Sequence, residues 1–97
     1  MKLLTKEIAK KIPPLYSQDG KDKESIAYLK LFTPDSNWTW YVTEMDPETR
    51  ECFGLVQGLE SELGYFGLDE LEELRGPMGM PIERDRFFDP TPLKDLM

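Results

Sequence analysis

The chain has 97 residues, of which 39% are hydrophobic and 11% aromatic, enough for one modest core spanning 1–97 and too few for a second folded unit. One cysteine, Cys52, excludes an internal disulfide, and a net charge of -7 disfavours direct binding to nucleic acid or to an anionic membrane. The opening MKLLTKEIAKKIPPLY carries charges every few residues and no stretch approaches the roughly 20 apolar residues that cross a bilayer, so a cytoplasmic protein is expected.

Thr5 is a favourable N-cap, and KEIAKKI places Ile8 and Ile12 four apart among lysines. This predicts a short helix over about 5–12, stopped by Pro13 and Pro14. Residues 17–23 (SQDGKDK) read as an exposed loop. The run ESIAYLKLF at 24–32 predicts a strand apolar on both sides, with Ala27, Leu29 and Leu31 on one face and Ile26, Tyr28, Lys30 and Phe32 on the other. A turn at 33–37 (TPDSN) leads into WTWYVTEM at 38–45, the densest aromatic and β-branched run. Its Trp38, Trp40 and Val42 face is the expected core face, with Thr39, Tyr41 and Thr43 opposite.

After a turn at 46–50, residues 51–58 predict a third strand in a hairpin with the second, and residues 60–66 a fourth. LDELEELR at 68–75 predicts a second short helix with Leu68 and Leu71 on one side, ended by Gly76 and Pro77. The remainder, with Pro81, Pro90 and Pro92, is expected to be extended and anchored on the sheet by Phe87 and Phe88. The fold class is α+β: a small antiparallel meander of about four strands, two short helices and an extended C-terminal tail.

Four segments, MKLLTKE at the start, FTPDSNWTWYVTE at 32–44, FGLVQGLESELGYF at 53–66 and LRGPMGMPIERDRFF at 74–88, carry a family resemblance. In matching order over nearly the whole chain, they resemble the bacterial domain of unknown function 2958 family. The resemblance implies no catalytic residue and no established activity. It implies a setting on plasmids, integrative elements and phage-like DNA, and hence a protein concerned with host defence, replication or transfer.

The charge is unevenly placed. Residues 1–43 hold seven Lys and five acids, residues 44–73 hold ten acids against Arg50 alone, and residues 74–97 balance four bases with four acids. The middle stretch therefore carries -9. Its densest part is Glu60, Glu62, Asp69, Glu70, Glu72 and Glu73, which reads either as a solvated face or as a surface imitating the phosphates of nucleic acid to engage a basic protein.

The chain has no histidine, which removes the commonest general base and metal ligand, so a non-enzymatic protein without a cofactor is expected. Catalysis by carboxylates alone would need a cleft that so short a chain hardly encloses. Cys52 has no activating neighbour and reads as a small buried hydrophobe. Asp35 with Asn37, or Glu60 with Glu62, offers oxygen ligands for Mg²⁺ or Ca²⁺, but neither spacing matches a loop motif.

Trp38 and Trp40 read as core packing or as a stacking platform. If the sheet has one open side, Tyr28 and Tyr41 are its exposed aromatic surface. Arg84 or Arg86, in the alternating run 83–86, would pin the tail to the acidic segment. A second functional reading is a small-ligand or nucleotide-binding module, using the open sheet face and the GPMGM loop at 76–80, where two glycines permit close approach.

Overall fold

The computed structural model describes residues 3–97, so Met1 and Lys2, which open the first resembling segment, lie outside the described residues. In chain order the elements are α1 (Lys6–Lys11), β1 (Ile26–Ala27), β2 (Leu29–Phe32), β3 (Thr39–Met45), β4 (Glu51–Gln57), β5 (Ser61–Gly67), α2 (Leu68–Glu73), β6 (Glu83–Arg84) and β7 (Thr91–Pro92). The main sheet is five-stranded and antiparallel in the order β5-β4-β3-β2-β6, while β1 and β7 form a separate pair. The α+β class and the central meander are as expected. The strand number is corrected from about four to five because the tail returns as β6, pairing Leu31 with Arg84 and Phe32 with Glu83.

The expected strand at 24–32 is divided. Its first residue, Glu24, closes a single turn of 3-10 helix, Asp22–Glu24, and the run then breaks at Tyr28, whose N–H donates to the Val42 carbonyl at 2.8 Å. That break turns Ala27 away from the face shared by Leu29 and Leu31. On β3 a bulge between Val42 and Glu44 shifts the register against β4. Gly54 lies opposite Val42, and a Cβ there would overlap the Tyr41 carbonyl oxygen, so the close approach of β4 at the bulge requires glycine.

Helix α1 starts where the Thr5 side chain accepts a hydrogen bond from the Ile8 N–H at 3.2 Å. Its C-cap, Ile12, is extended, the conformation that a following proline imposes, and turns its side chain into the core. Ile12 joins Leu68 and Leu71 of α2, with Leu3 and Ile82, over the face built by Leu29, Leu31, Trp40, Val42, Met45 and Cys52.

The opposite face is covered as well. Tyr41 and Leu55 pack with Ala27 and Leu93, flanked by Phe88 and Leu96, and the Gln57 side chain donates to the Leu96 carbonyl at 2.9 Å. The tail therefore covers the middle of the second face, with a short 3-10 turn at Leu93–Asp95, and leaves Leu63 and Tyr65 exposed at its β5 margin. The pairing expected of Tyr28 and Tyr41 as an exposed aromatic surface is overturned: Tyr41 is only 7% exposed, and half-buried Tyr28 packs against the other core. Of the two expected tail anchors, Phe88 meets Tyr41 with ring centroids 5.7 Å apart, whereas Phe87 is 90% exposed.

The loop expected at 17–23 is not wholly exposed, because Gln18 is buried. Its side chain donates to the carbonyls of Thr43 (2.9 Å) and Ile26 (3.1 Å) and accepts from the Ile26 N–H (2.8 Å). Glu44, itself 4% exposed, accepts from the N–H groups of Tyr16 (2.9 Å) and Gln18 (2.6 Å). This carboxylate fastens the N-terminal loop to β3 through charged hydrogen bonds.

Candidate functional site

With both faces covered, the sheet presents mainly its edges. Strand β5 is one of them: all seven residues pair with β4, from Glu51 with Gly67 to Gln57 with Ser61, and no strand lies on its outer side among the described residues. Alternation sends Glu62 and Phe66 toward the α2 side and Leu63 and Tyr65 to the other.

The Tyr65 ring, 52% exposed, meets Phe53 edge-on at 4.9 Å. A hydrogen bond with the exposed Tyr16 side chain is the main cause raising the Tyr65 phenol above its ordinary pKa. Tyr16 and Tyr65, with Leu63 alongside, thus form an exposed aromatic and apolar surface at this edge. The signal for it was present in ELGYF, whose alternation pairs Leu63 with Tyr65 on the last strand of a meander.

All six carboxylates singled out from sequence are exposed. Leu68 and Leu71 bury one side of α2 and so turn Asp69, Glu70, Glu72 and Glu73 outward, while Glu62 lies in β5 and Glu60 in the turn before it. The structure gathers four of the six on one helix. It separates Glu60 from them by the length of β5, roughly 20 Å.

Arg50, in the turn between β3 and β4, reaches the carboxylates of Asp69 at 2.5 Å and Glu72 at 2.9 Å, and its carbonyl accepts from the Leu68 N–H at 3.0 Å. It ties the β3–β4 turn to α2, which is not the attachment of the tail to the acidic segment expected of Arg84 or Arg86. Arg84 belongs to β6, at the opposite edge of the sheet from β5. Glu60, Glu62, Glu70 and Glu73 have no cationic partner among the described residues.

The GPMGM loop does not offer its amides to a ligand. Asp35 Oδ2 accepts from the N–H of Met78 at 2.9 Å and of Met80 at 3.4 Å, while Oδ1 is buried against Gly76 without a hydrogen-bond partner. An internal carboxylate thus occupies the position that a phosphate would take. Asp35 is engaged in this latch rather than paired with Asn37, and no group of three or more His, Cys, Asp or Glu suited to a metal occurs among the described residues.

Burial pushes the Cys52 thiol from 9.0 up to about 12, against a smaller downward pull from Arg50, which leaves it protonated and unreactive at neutral pH.

Beyond β2 lies a cleft of about 630 Å³, bounded by the 36–38 turn and the 83–87 segment, with Lys30, Phe32 and Thr39 on its floor. Trp38, expected with Trp40 on the core face, precedes β3 and is 41% exposed at this cleft, its ring stacked on buried Trp40 at 6.0 Å.

No helix among the described residues is long and apolar enough to cross a membrane. The model of the family described as protein of unknown function (DUF2958) matches residues 3–94, and the chain belongs to that family. No curated protein and no solved structure matches it.

Proposed function

We propose that this member of the DUF2958 family is an interaction protein whose acidic β5–α2 edge docks on a basic surface of a partner protein. The observation that carries this reading is the arrangement of the carboxylates: all six face solvent, and Arg50 holds only Asp69 and Glu72. Among the described residues the other four have no cationic partner and stand beside an open strand edge, in a stretch with ten acids and one base. A field of this sign speeds capture of a cationic partner and fades with salt.

The partner class that fits is a protein that handles nucleic acid, whose basic channel is built for phosphates. Carboxylates held on a short helix and a strand stand in for those phosphates, and occupying the channel inhibits or modulates the host protein. The mobile-element setting implied by the family resemblance is consistent with such a target.

The test uses immobilised protein and lysate of the source organism, with a variant carrying Glu60→Lys, Glu62→Lys, Glu70→Lys and Glu73→Lys. The wild type should retain a basic partner at low salt and release it as salt rises, the variant should not retain it, and the captured partner should lose affinity for nucleic acid when the protein is added. Retention of the same partner by the charge-reversed variant sinks the reading.

A further inference from the structure

We propose that the cleft between the 36–38 turn and the 83–87 segment binds a nucleoside phosphate, with the base against Trp38 and Phe87 and the phosphate on Arg86. The proposal does not depend on the acidic edge having a partner.

The exposure of Phe87 is built into the fold and is not the fraying of a tail. The Asp85 N–H donates to the Lys30 carbonyl at 3.0 Å, Asp85 Oδ1 accepts from the Phe87 N–H at 2.9 Å, and the Phe88 N–H donates to the Asp85 carbonyl at 3.3 Å. This turn sends Phe88 into the core against Tyr41 and holds Phe87 outward at the cleft wall. Across from it, Trp38 is fixed by its own backbone: its N–H donates to Thr33 Oγ1 at 3.1 Å and its carbonyl accepts from the Thr33 N–H at 3.0 Å. Phe87, held outward, and the exposed part of the Trp38 ring, which rests on Trp40 and over Gly58, offer aromatic surface against which a flat base stacks.

One cation at the cleft is uncommitted. Lys30 and Arg86 stand against Glu83 and Asp85, while Arg84 is in register with Leu31 and turns to the opposite face of the sheet. Lys30 is committed to Asp85 at 3.7 Å, while Arg86 has no carboxylate partner among the described residues. Its guanidinium offers the planar donor pair suited to a phosphate. The β5 acids are remote from the phosphate end of the site: β6 and β5 are opposite edges of a five-stranded sheet, four strand spacings or roughly 19 Å apart, against a screening length of about 8 Å at physiological salt.

Size and net charge favour a small molecule over a polymer. About 630 Å³ falls within the usual range for small-ligand clefts, whereas a long phosphate backbone leaving the cleft would meet a net negative protein. Ser36, Asn37 and Thr39 supply donors and acceptors for the base edge.

The experiment titrates the whole chain with AMP, GMP, CMP and UMP, following tryptophan fluorescence and backbone amide chemical shifts, with inorganic phosphate and adenosine as separate arms. At least one nucleotide should quench the fluorescence saturably by about 1 mM, with shifts confined to residues 30–39 and 83–87. Arg86→Ala should weaken binding about tenfold, the size of one lost charged contact, without changing the thermal midpoint. Phe87→Ser should weaken it as well. Absence of a saturable response to all four nucleotides overturns the proposal, as do shifts centred on α2 or the 76–80 loop, unchanged affinity in Arg86→Ala, or phosphate alone reproducing the full response.

Discussion

Replacing Gly76 by alanine should release the 76–80 turn from Asp35. Gly76 is absent from the positive-φ positions, so its backbone suits alanine, and with no clash the substitution would be neutral or stabilising by about 0.4–1 kcal/mol through the unfolded chain. The new Cβ, however, would overlap Asp35 Oδ1, an atom already buried. Either the carboxylate moves or the turn opens, and both break the bond from Met78 at 2.9 Å and the weaker one from Met80 at 3.4 Å.

A charged hydrogen bond is worth about 1.5–3 kcal/mol, and Met78 and Met80 are exposed, so the expected loss is about 2 kcal/mol. Asp35→Ala should cost about the same or somewhat less, because it also removes the unsatisfied Oδ1. In the Asp35→Ala background the clash is gone, and adding Gly76→Ala should then cost nothing. Urea unfolding followed by tryptophan fluorescence reads the cycle: with a slope of about 1 kcal/mol/M, each single variant loses about 2 M in midpoint and the double variant matches Asp35→Ala. Additive losses, near 4 kcal/mol in the double variant, would refute the latch.

At Gly54 the obstacle is the Tyr41 carbonyl, which cannot rotate away as a side chain can, so Gly54→Ala should cost more than about 4 kcal/mol and abolish cooperative unfolding; a transition close to wild type would contradict the packing. Cys52 should resist a thiol reagent at pH 8 until urea unfolds the chain, and fast labelling without denaturant would show that it is not buried as described. Because its folded value of about 12 lies above the ordinary 9.0, the folded state keeps a proton that the unfolded chain has lost. Stability should therefore fall by about 1.4 kcal/mol per pH unit across that window, and Cys52→Ala should flatten the fall. Arg50→Ala should lower stability by under about 1 kcal/mol, since its pairs with Asp69 and Glu72 are partly exposed. The deficit should shrink in 1 M salt, and a salt-independent loss would place Arg50's contribution in its contacts instead.

What could be read from the sequence followed from local rules. Thr5 and Pro13 bound α1, Leu68 and Leu71 place α2, which ends at Glu73 ahead of the stop expected at Gly76 and Pro77, and period-two patterns give β3, β4 and β5 because each is long enough to show them. β6 has two residues and no period, and its pairing with β2 is decided by tertiary contact. Alternation sorts Tyr41 and Trp40 to opposite faces without saying which faces are covered. The tail that buries Tyr41 through Phe88, Leu93 and Leu96 is about fifty residues away in sequence. Trp38 failed for a local reason: it precedes the first paired residue of β3, where alternation no longer sets direction. Arg50 was overlooked because its partners are brought near only when β5 and α2 fold back past it, and nothing in the sequence around Glu44 marks an acid that the fold buries.

Covering both faces has a consequence for where this protein can act. A small antiparallel sheet often leaves one face to solvent, and that face is the natural place to seek a ligand. Here α1 and α2 close one side, the tail covers the middle of the other, and Asp35 fills the glycine loop from within. What remains is the perimeter, and its two ends differ in sign. The β5 end carries exposed carboxylates beside a strand whose outer side is open among the described residues, while the β6 end carries arginine and aromatic side chains around a cleft. Because about two screening lengths separate β6 from β5, charge reversal at Glu62 should leave nucleotide binding at the cleft unchanged, and Arg86→Ala should leave partner capture unchanged. Loss of both activities in either variant would mean that the ends are coupled through the sheet or that one surface serves both.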